Sequence, residues 1–172
     1  MSDKTISINA TTNPGSLARQ QTVGGNTKNE ELIRRLYALA EQKDSKGFMD
    51  IFAEDGYFWD VSAGVKYYGD DIGKTVDIYA KAFPDMHREL FSMWAVGDRV
   101  FVELSLNGTQ KGGLQLPFGE IKPTNKKMST PCFDSFRISN GKITQFHCYT
   151  AATQLLGQIG VIENVGAALS RS

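Results

Sequence analysis

Helical and strand patterns occupy separate parts of this chain, and this order constrains the fold more than any other feature. Apolar residues recur at helical spacing in three segments before residue 84, with one aromatic strand among them. From residue 86 to residue 150, runs rich in β-branched and aromatic residues follow one another, separated by turn-forming Gly and Asn. The order predicts an α+β domain in which three N-terminal helices pack on a curved, mostly antiparallel sheet.

Caps and apolar stripes predict the three helices. The first begins at Thr27, where Glu30 completes a capping box. The second begins at Ser45, and the third runs from Gly69 to the residue before Pro84, which cannot continue a helix. Their apolar positions are Leu32, Ile33, Leu36, Tyr37 and Ala40, then Phe48, Met49, Ile51 and Phe52, then Ile72, Val76, Tyr79 and Phe83.

Five strands are predicted. The first begins after Gly56, and the last three should form an antiparallel meander. A long loop containing Gly and Pro is expected at residues 111–125. The strand segments are residues 57–61, 86–96, 99–109, 127–138 and 142–150.

Composition divides the chain and excludes several partners. Residues 1–26 are polar and predict a flexible arm, residues 27–161 a single domain, and residues 162–172 a tail. The 19 basic residues balance the 19 acidic ones, so we expect no nucleic-acid partner. No apolar run approaches the roughly 18 residues of a membrane span, so we expect no membrane partner.

The few cysteines and histidines indicate a protein of a reducing compartment without a metal site. Cys132 and Cys148 are too few for a disulfide framework, so free thiols and a cytoplasmic location are expected. His87 and His147 lack metal-ligand spacing. We therefore expect no metal.

Asp60 and Asp134 are the strongest catalytic candidates, because each is the lone acid in an aromatic, β-branched run. A carboxyl group among Trp and Phe side chains loses hydration, which raises its pKa and suits it to proton transfer near neutral pH. The alternative is that one or both acids point to solvent from a half-exposed strand.

Other candidates follow from position. His87 begins a strand and could shuttle protons at a cavity mouth, although a single His there is more often a surface residue. Aromatic residues such as Trp59 could line a pocket, although strand aromatics mostly belong to a core or a dimer interface. The ligand-binding candidates are Tyr37, Trp59, Ile78, Phe146, Cys148 and Thr150.

The turn at Asn140-Gly141 leaves two registers open for Asp134. A two-residue type I′ turn sets Asp134 opposite His147, which would keep the acid ionised. A three-residue loop with a Gly bulge sets it opposite Phe146, which would raise its pKa. We favour the second register, because strand alternation then puts Phe146, Cys148 and Thr150 on one face.

Five short motifs occur along the chain: AFPDMH at 82–87, NGTQKG at 107–112, KPTN at 122–125, FRISNGKI at 136–143 and LLGQIG at 155–160. In the same order and at similar spacing, over residues 28–161, they resemble the SnoaL-like polyketide cyclase family of the NTF2-like superfamily. The resemblance implies a cone-shaped α+β fold with a pocket between sheet and helices, and a homodimer.

Site residues of related families transfer only in part. The cyclases carry an acidic residue before the last motif, but residues 149–154 hold no carboxylate, and Gln110 stands where a His is usual. Ketosteroid isomerases of the same fold give a different comparison: Asp60 resembles their proton-abstracting Asp and Asp134 their oxyanion donor. Their helix-one Tyr falls by spacing on Leu36, with Tyr37 about 100° further round the helix.

The function implied is a cofactor-independent isomerase or cyclase acting on a small apolar, polyketide-like or steroid-like molecule. Asp60 would take a proton next to a carbonyl, and a neutral Asp134 would stabilise the enolate. The alternative is a non-catalytic ligand-binding or homodimeric assembly module of the same superfamily.

Overall fold

A computed structural model describes residues 26–117 and 119–162 of the chain. The predicted arm (residues 1–26) and tail (residues 162–172) therefore lie outside the described residues, apart from residues 26 and 162. The elements of the described part are α1 (Thr27–Glu41), α2 (Ser45–Asp50), β1 (Phe52–Asp60), β2 (Val65–Tyr68), α3 (Asp71–Ala82), β3 (His87–Val96), β4 (Arg99–Thr109), β5 (Leu114–Leu116), β6 (Gly119–Ile121), β7 (Lys127–Ser139), β8 (Lys142–Thr150) and α4 (Ala152–Gln158).

The main sheet has six strands in the order β2-β1-β8-β7-β4-β3. Only β1 and β8 run parallel, and the other neighbours pair antiparallel. This arrangement confirms the predicted α+β class with a curved, mostly antiparallel sheet. No helix within the described ranges is long and apolar enough to span a bilayer.

Several elements differ from the sequence prediction. The second helix ends at Asp50, and β1 begins at Phe52 rather than after Gly56. Ile51 and Phe52 are still buried, so their apolar character reports core packing and not helix. The short β2, the β5–β6 hairpin inside the predicted loop, and α4 were not predicted, because segments of three to seven residues carry too little periodicity to classify.

Alternation along β7 separates the core from the outer surface. Its even-numbered residues from Met128 to Ile138 are buried, whereas most of the odd-numbered ones are exposed. The inner face packs under α1, where the Phe136 ring stacks on Phe146 at 4.4 Å and meets Tyr37 edge-on at 6.2 Å. A carboxylate at an even position of β7 must therefore lie in the apolar core.

The β7–β8 hairpin follows neither predicted register. Asn140 and Gly141 both have positive φ, so a two-residue turn pairs Ser139 with Lys142. Thr144 then bulges out of the ladder, and the pairing shifts by one residue. Asp134 consequently lies opposite Cys148, so the favoured register opposite Phe146 was wrong and the type I′ alternative holds only at the turn.

Gln110 organises the segment between β4 and β7. Its side chain is completely buried and accepts a hydrogen bond from the Thr124 hydroxyl at 2.7 Å, while its amide donates to the Ile121 and Lys122 carbonyls. The backbone N–H of Gly112 donates to the Ala82 carbonyl at 3.1 Å. These bonds hold β5 against the end of α3, where it closes one side of a cavity.

Gly112 is required at this junction because a Cβ there would collide with the Lys81 carbonyl oxygen. We expect Gly112→Ala to lower the free energy of unfolding by about 1 to 3 kcal/mol, measured by urea denaturation. The control is Gly157→Ala in α4, where a Cβ meets nothing within 4 Å and Ala should stabilise the helix by up to about 1 kcal/mol. Equal stability of both variants would contradict this packing.

Candidate active site

Asp60, the last residue of β1, faces the cavity between the sheet and α3. It shares its face of the strand with Phe58, and both side chains line the cavity wall. Its Oδ1 accepts the Ala63 backbone N–H at 3.0 Å, in the turn that leads to β2. Burial raises the pKa of Asp60, although hydrogen bonds from the Ala63 and Ser62 backbone oppose the rise.

The cavity consists of three adjoining chambers of about 270, 110 and 50 Å³. Asp60 and Tyr79 line all three, so they stand where the chambers meet. The largest chamber lies under β5, and its walls are mainly apolar: Phe58, Val65, Ile78, Leu114, Leu116 and Pro117. Together the chambers offer room for a small ring system, as a small-molecule site requires.

Asp134 lies at the wall of the smallest chamber, which we call the inner chamber, and only 2% of its surface is exposed. The Tyr37 hydroxyl donates to its Oδ2 at 2.7 Å, and the Cys132 thiol donates to its Oδ1 at 3.3 Å. Burial raises the pKa of Asp134 to about 6, although the hydrogen bonds from Tyr37 and from the thiols hold it down. This carboxyl therefore changes charge just below neutral pH.

Tyr37 is the tyrosine that meets the buried acid. Spacing placed the isomerase-like position on Leu36, but Leu36 is fully buried in the core and its neighbour Tyr37 reaches Asp134. Burial and the nearby Asp134 charge raise the pKa of Tyr37 well above its usual value, so it stays protonated as a donor.

Two thiols and a hydroxyl extend this network. The Cys132 and Cys148 sulfurs are 3.4 Å apart, and both lie within 3.6 Å of the Thr150 hydroxyl. Within the described residues, Cys132, Cys148 and Asp134 form the one group of potential metal donors that cluster, within 4.8 Å. A thiophilic metal ion would need deprotonated thiols as ligands. The Cys148 thiol stays protonated, because its hydrogen bond to Cys132 and its burial raise its pKa well above the usual value.

The structure brings most of the sequence candidates to this cavity. Tyr37, Asp134, Phe146 and Cys148 line the inner chamber, Ile78 lines the largest, and Thr150 lines the third.

Two candidates lie elsewhere. Trp59 points to the opposite face of the sheet from Asp60, where its ring meets His147 edge-on at 5.1 Å and the Lys66 ammonium at 5.0 Å. The His87 side chain is 67% exposed, and its Nδ1 is 3.5 Å from Glu41.

Two polar residues of the cavity were not predicted from the sequence. Tyr79 belongs to the apolar stripe of the third predicted helix, yet its side chain lines every chamber, and no residue in the described part of the chain hydrogen-bonds its hydroxyl. Arg88 contributes a positive charge to the inner chamber. Arg88 is one residue from His87 and points to the other face of β3, so strand alternation was the one signal that separated them.

The profile of the SnoaL-like domain matches residues 33–146 of this chain. The chain belongs to the SnoaL-like family. No curated protein matches the sequence significantly.

Solved structures share the fold at low identity. A hydroxylase candidate, AclR from Streptomyces galilaeus, is 21% identical with a TM-score of 0.69, and the match covers 86% of this chain and 95% of that one. A polyketide cyclase candidate from Bacillus cereus is also 21% identical, with a TM-score of 0.65 and coverage of 79% and 83%. A protein from Catenulispora acidiphila with a ketosteroid isomerase-like fold, in complex with trimethylamine, is 20% identical, with a TM-score of 0.64 and coverage of 76% and 93%.

The raised pKa of Asp134 predicts a loss of stability as pH rises. Between its unfolded pKa near 4 and its folded pKa of about 6, the folded state binds the extra proton, so stability falls across this window by about 3 kcal/mol from this group. We expect Asp134→Asn to remove that slope in urea unfolding measured from pH 4 to pH 7.

The control for this measurement is Asp98→Asn. Asp98 is an exposed acid whose pKa is lowered by its hydrogen bond from Arg137, so its replacement should leave the fall between pH 4 and pH 6 intact. A stability curve of Asp134→Asn that runs parallel to the wild-type curve would show that Asp134 titrates normally.

Proposed function

We propose that this protein transfers a proton next to a carbonyl group of an apolar, ring-sized molecule without a cofactor, as isomerases and cyclases do. One observation carries the proposal: two carboxyl groups with raised pKa, Asp60 and Asp134, line one mainly apolar cavity. Membership of the SnoaL-like family supports the small-molecule site.

The two acids take different roles because their surroundings differ. Asp60 accepts backbone N–H groups, which favour its ionised form, so it is the base that removes the proton from the α-carbon. Asp134 is more deeply buried and in its protonated form donates to the oxygen of the resulting enolate. Asp60 then returns the proton to another carbon of the same ligand, so no net acid or base is consumed.

The expected contributions are about 10² to 10⁴ in rate for a positioned base and about 10² to 10³ for an oxyanion donor. The mechanism requires Asp60 ionised and Asp134 neutral, and the neutral form of Asp134 predominates below pH 6. At pH 7 about a tenth of Asp134 remains neutral in the free protein. The activity should therefore fall as pH rises through about 6.

The Tyr79 hydroxyl is the further ligand contact in this proposal. It lines all three chambers, and burial together with the Asp60 charge raises its pKa, so it stays protonated. A second donor beside Asp60 would orient the ligand carbonyl or a ring hydroxyl.

A non-catalytic binding module is the second candidate, because residues 149–154 lack the carboxylate that the cyclases carry. Binding alone needs the cavity but not the charge state of Asp60. Substitution at Asp60 therefore separates the two functions.

We expect the wild-type protein to catalyse exchange of the α-protons of 2-tetralone, an apolar bicyclic ketone, for deuterium in D₂O, followed by NMR. Asp60→Asn should lower the exchange rate by about 10² or more, while 2-tetralone still binds in ligand-observed NMR. Asp55→Asn, which alters an exposed acid of the same strand, should leave the exchange unchanged.

The exchange assay also tests the alternative. Binding of 2-tetralone without exchange above the Asp60→Asn rate would favour the binding module and contradict proton transfer on such ketones. An exchange rate that does not fall between pH 5 and pH 7.5 would contradict the role given to Asp134.

We also propose that the outer face of the sheet pairs two copies of the chain. Phe133 and Tyr149 are more than 40% exposed on adjacent strands, and Phe133 stacks on Phe101 of the next strand at 6.2 Å. With Trp59 and His147 they form a broad aromatic surface on the side away from the cavity. A face of this kind on a folded domain usually contacts another protein surface.

A charge at the centre of this surface should prevent pairing. We expect the wild-type chain to sediment as a dimer at micromolar concentration and Phe133→Glu to sediment as a monomer. Val96→Glu alters a residue that is 63% exposed at the end of β3 and should remain dimeric. A monomeric wild-type protein would refute the dimer.

A further inference from the structure

Arg88 is a cation in the cavity for which the proposed proton transfer has no use. It lies on the inner face of β3, and its side chain is only 14% exposed. It lines the inner chamber together with Asp60 and Asp134. Burying a guanidinium is strongly unfavourable unless anions or hydrogen-bond acceptors surround it.

The protein satisfies only part of this guanidinium. Its Nη1 donates to Glu41 Oε1 at a long 3.4 Å, and the same oxygen accepts the Arg88 backbone N–H at 2.8 Å. The other Glu41 oxygen is 3.5 Å from the exposed His87 ring, so Glu41 holds the outer side of Arg88. In the described ranges no other acceptor bonds the guanidinium, and neither Asp60 nor Asp134 forms an ion pair with it.

The charge of Arg88 nevertheless acts inside the cavity. It opposes the rise in pKa that burial causes for Asp134 and for Tyr79, two side chains that line the same chamber. The guanidinium N–H donors that do not bond Glu41 are available to a group that enters the inner chamber. Besides the two acids, apolar side chains line this chamber: Phe48, Phe58, Met86, Leu106 and Phe146.

We propose that Arg88 binds a carboxylate of the ligand, so that the natural ligands are apolar ring-sized carboxylic acids. A carboxylate matches the two parallel donors of a guanidinium, and this pairing gains strength where water is excluded. The inference rests on the cavity of the proposed function but not on proton transfer. It narrows the substrate class to acids with an enolisable carbonyl.

Such a ligand would also change the charge state of Asp134. A carboxylate on Arg88 neutralises the cation that favours ionised Asp134 and adds a like charge in the same chamber. Asp134 should therefore take up a proton when the acid binds at pH 7, which supplies the neutral donor that the proposed mechanism needs.

The test compares 2-naphthoate with 2-naphthamide, two probes of nearly equal shape that differ in charge, by isothermal titration calorimetry at pH 7. We expect the wild-type protein to bind the naphthoate at least tenfold more tightly. Arg88→Gln should abolish the preference for naphthoate. Arg88→Lys should keep part of it, because the positive charge remains while the two parallel guanidinium donors are lost. Arg137→Gln, which alters an exposed arginine paired with Asp98, should keep all of it.

Proton uptake gives a second readout that a purely structural arginine would not affect. Titrations in buffers of different ionisation enthalpy should show uptake of up to one proton with naphthoate and none with naphthamide. Asp134→Asn should abolish the uptake while the naphthoate still binds.

Equal affinity of the wild-type protein for the two probes overturns the inference, as does a preference that survives in Arg88→Gln. If Arg88→Gln does not fold, the affinities of the wild-type protein and of Arg88→Lys for the two probes still test the inference. If the protein exchanges the protons of 2-tetralone but does not prefer naphthoate, the proposed proton transfer holds and its substrates are neutral ketones. A naphthoate preference without exchange would leave an acid-binding module.

Discussion

The hydrogen bond from the Tyr37 hydroxyl to Asp134 is the contact on which the site depends. It joins α1 to the centre of the sheet across 97 residues of sequence, at 2.7 Å and away from bulk water. A buried carboxyl without such donors would cost several kcal/mol or remain protonated at all physiological pH values. With them, its pKa settles at about 6, where small changes in the cavity alter its charge.

The cavity exists because the helices cover the sheet incompletely. Large rings fill the region between α1 and β7, where Phe136 stacks on Phe146. Toward the other end, α3 and the β5 segment bridge the sheet and leave the chambers that Asp60 and Tyr79 join. The two acids thus have different surroundings: Asp60 accepts backbone N–H groups of a turn, whereas Asp134 lies in the core.

Family membership and site chemistry are separate conclusions for this protein. The SnoaL-like fold is shared with structures of about 20% identity, which determines the scaffold but not the residues on it. Here the segment before the last motif carries no acid, and strands β1, β3 and β7 supply the cavity's charged groups instead. The site residues of relatives therefore do not determine the chemistry of this cavity.

The sequence by itself determined the class of fold, the helices α1 and α3, most of the long strands and the two acids within them. Local periodicity carries this information, because the burial of one face requires apolar residues at a fixed spacing. The tertiary structure alone decided which faces meet. The bulge at Thr144 set Asp134 opposite Cys148, and the rotation of α1 over the sheet brought Tyr37 rather than Leu36 to the acid. Strand facing turned Trp59 outward and brought Arg88 inward, since contacts between distant segments depend on how whole elements pack.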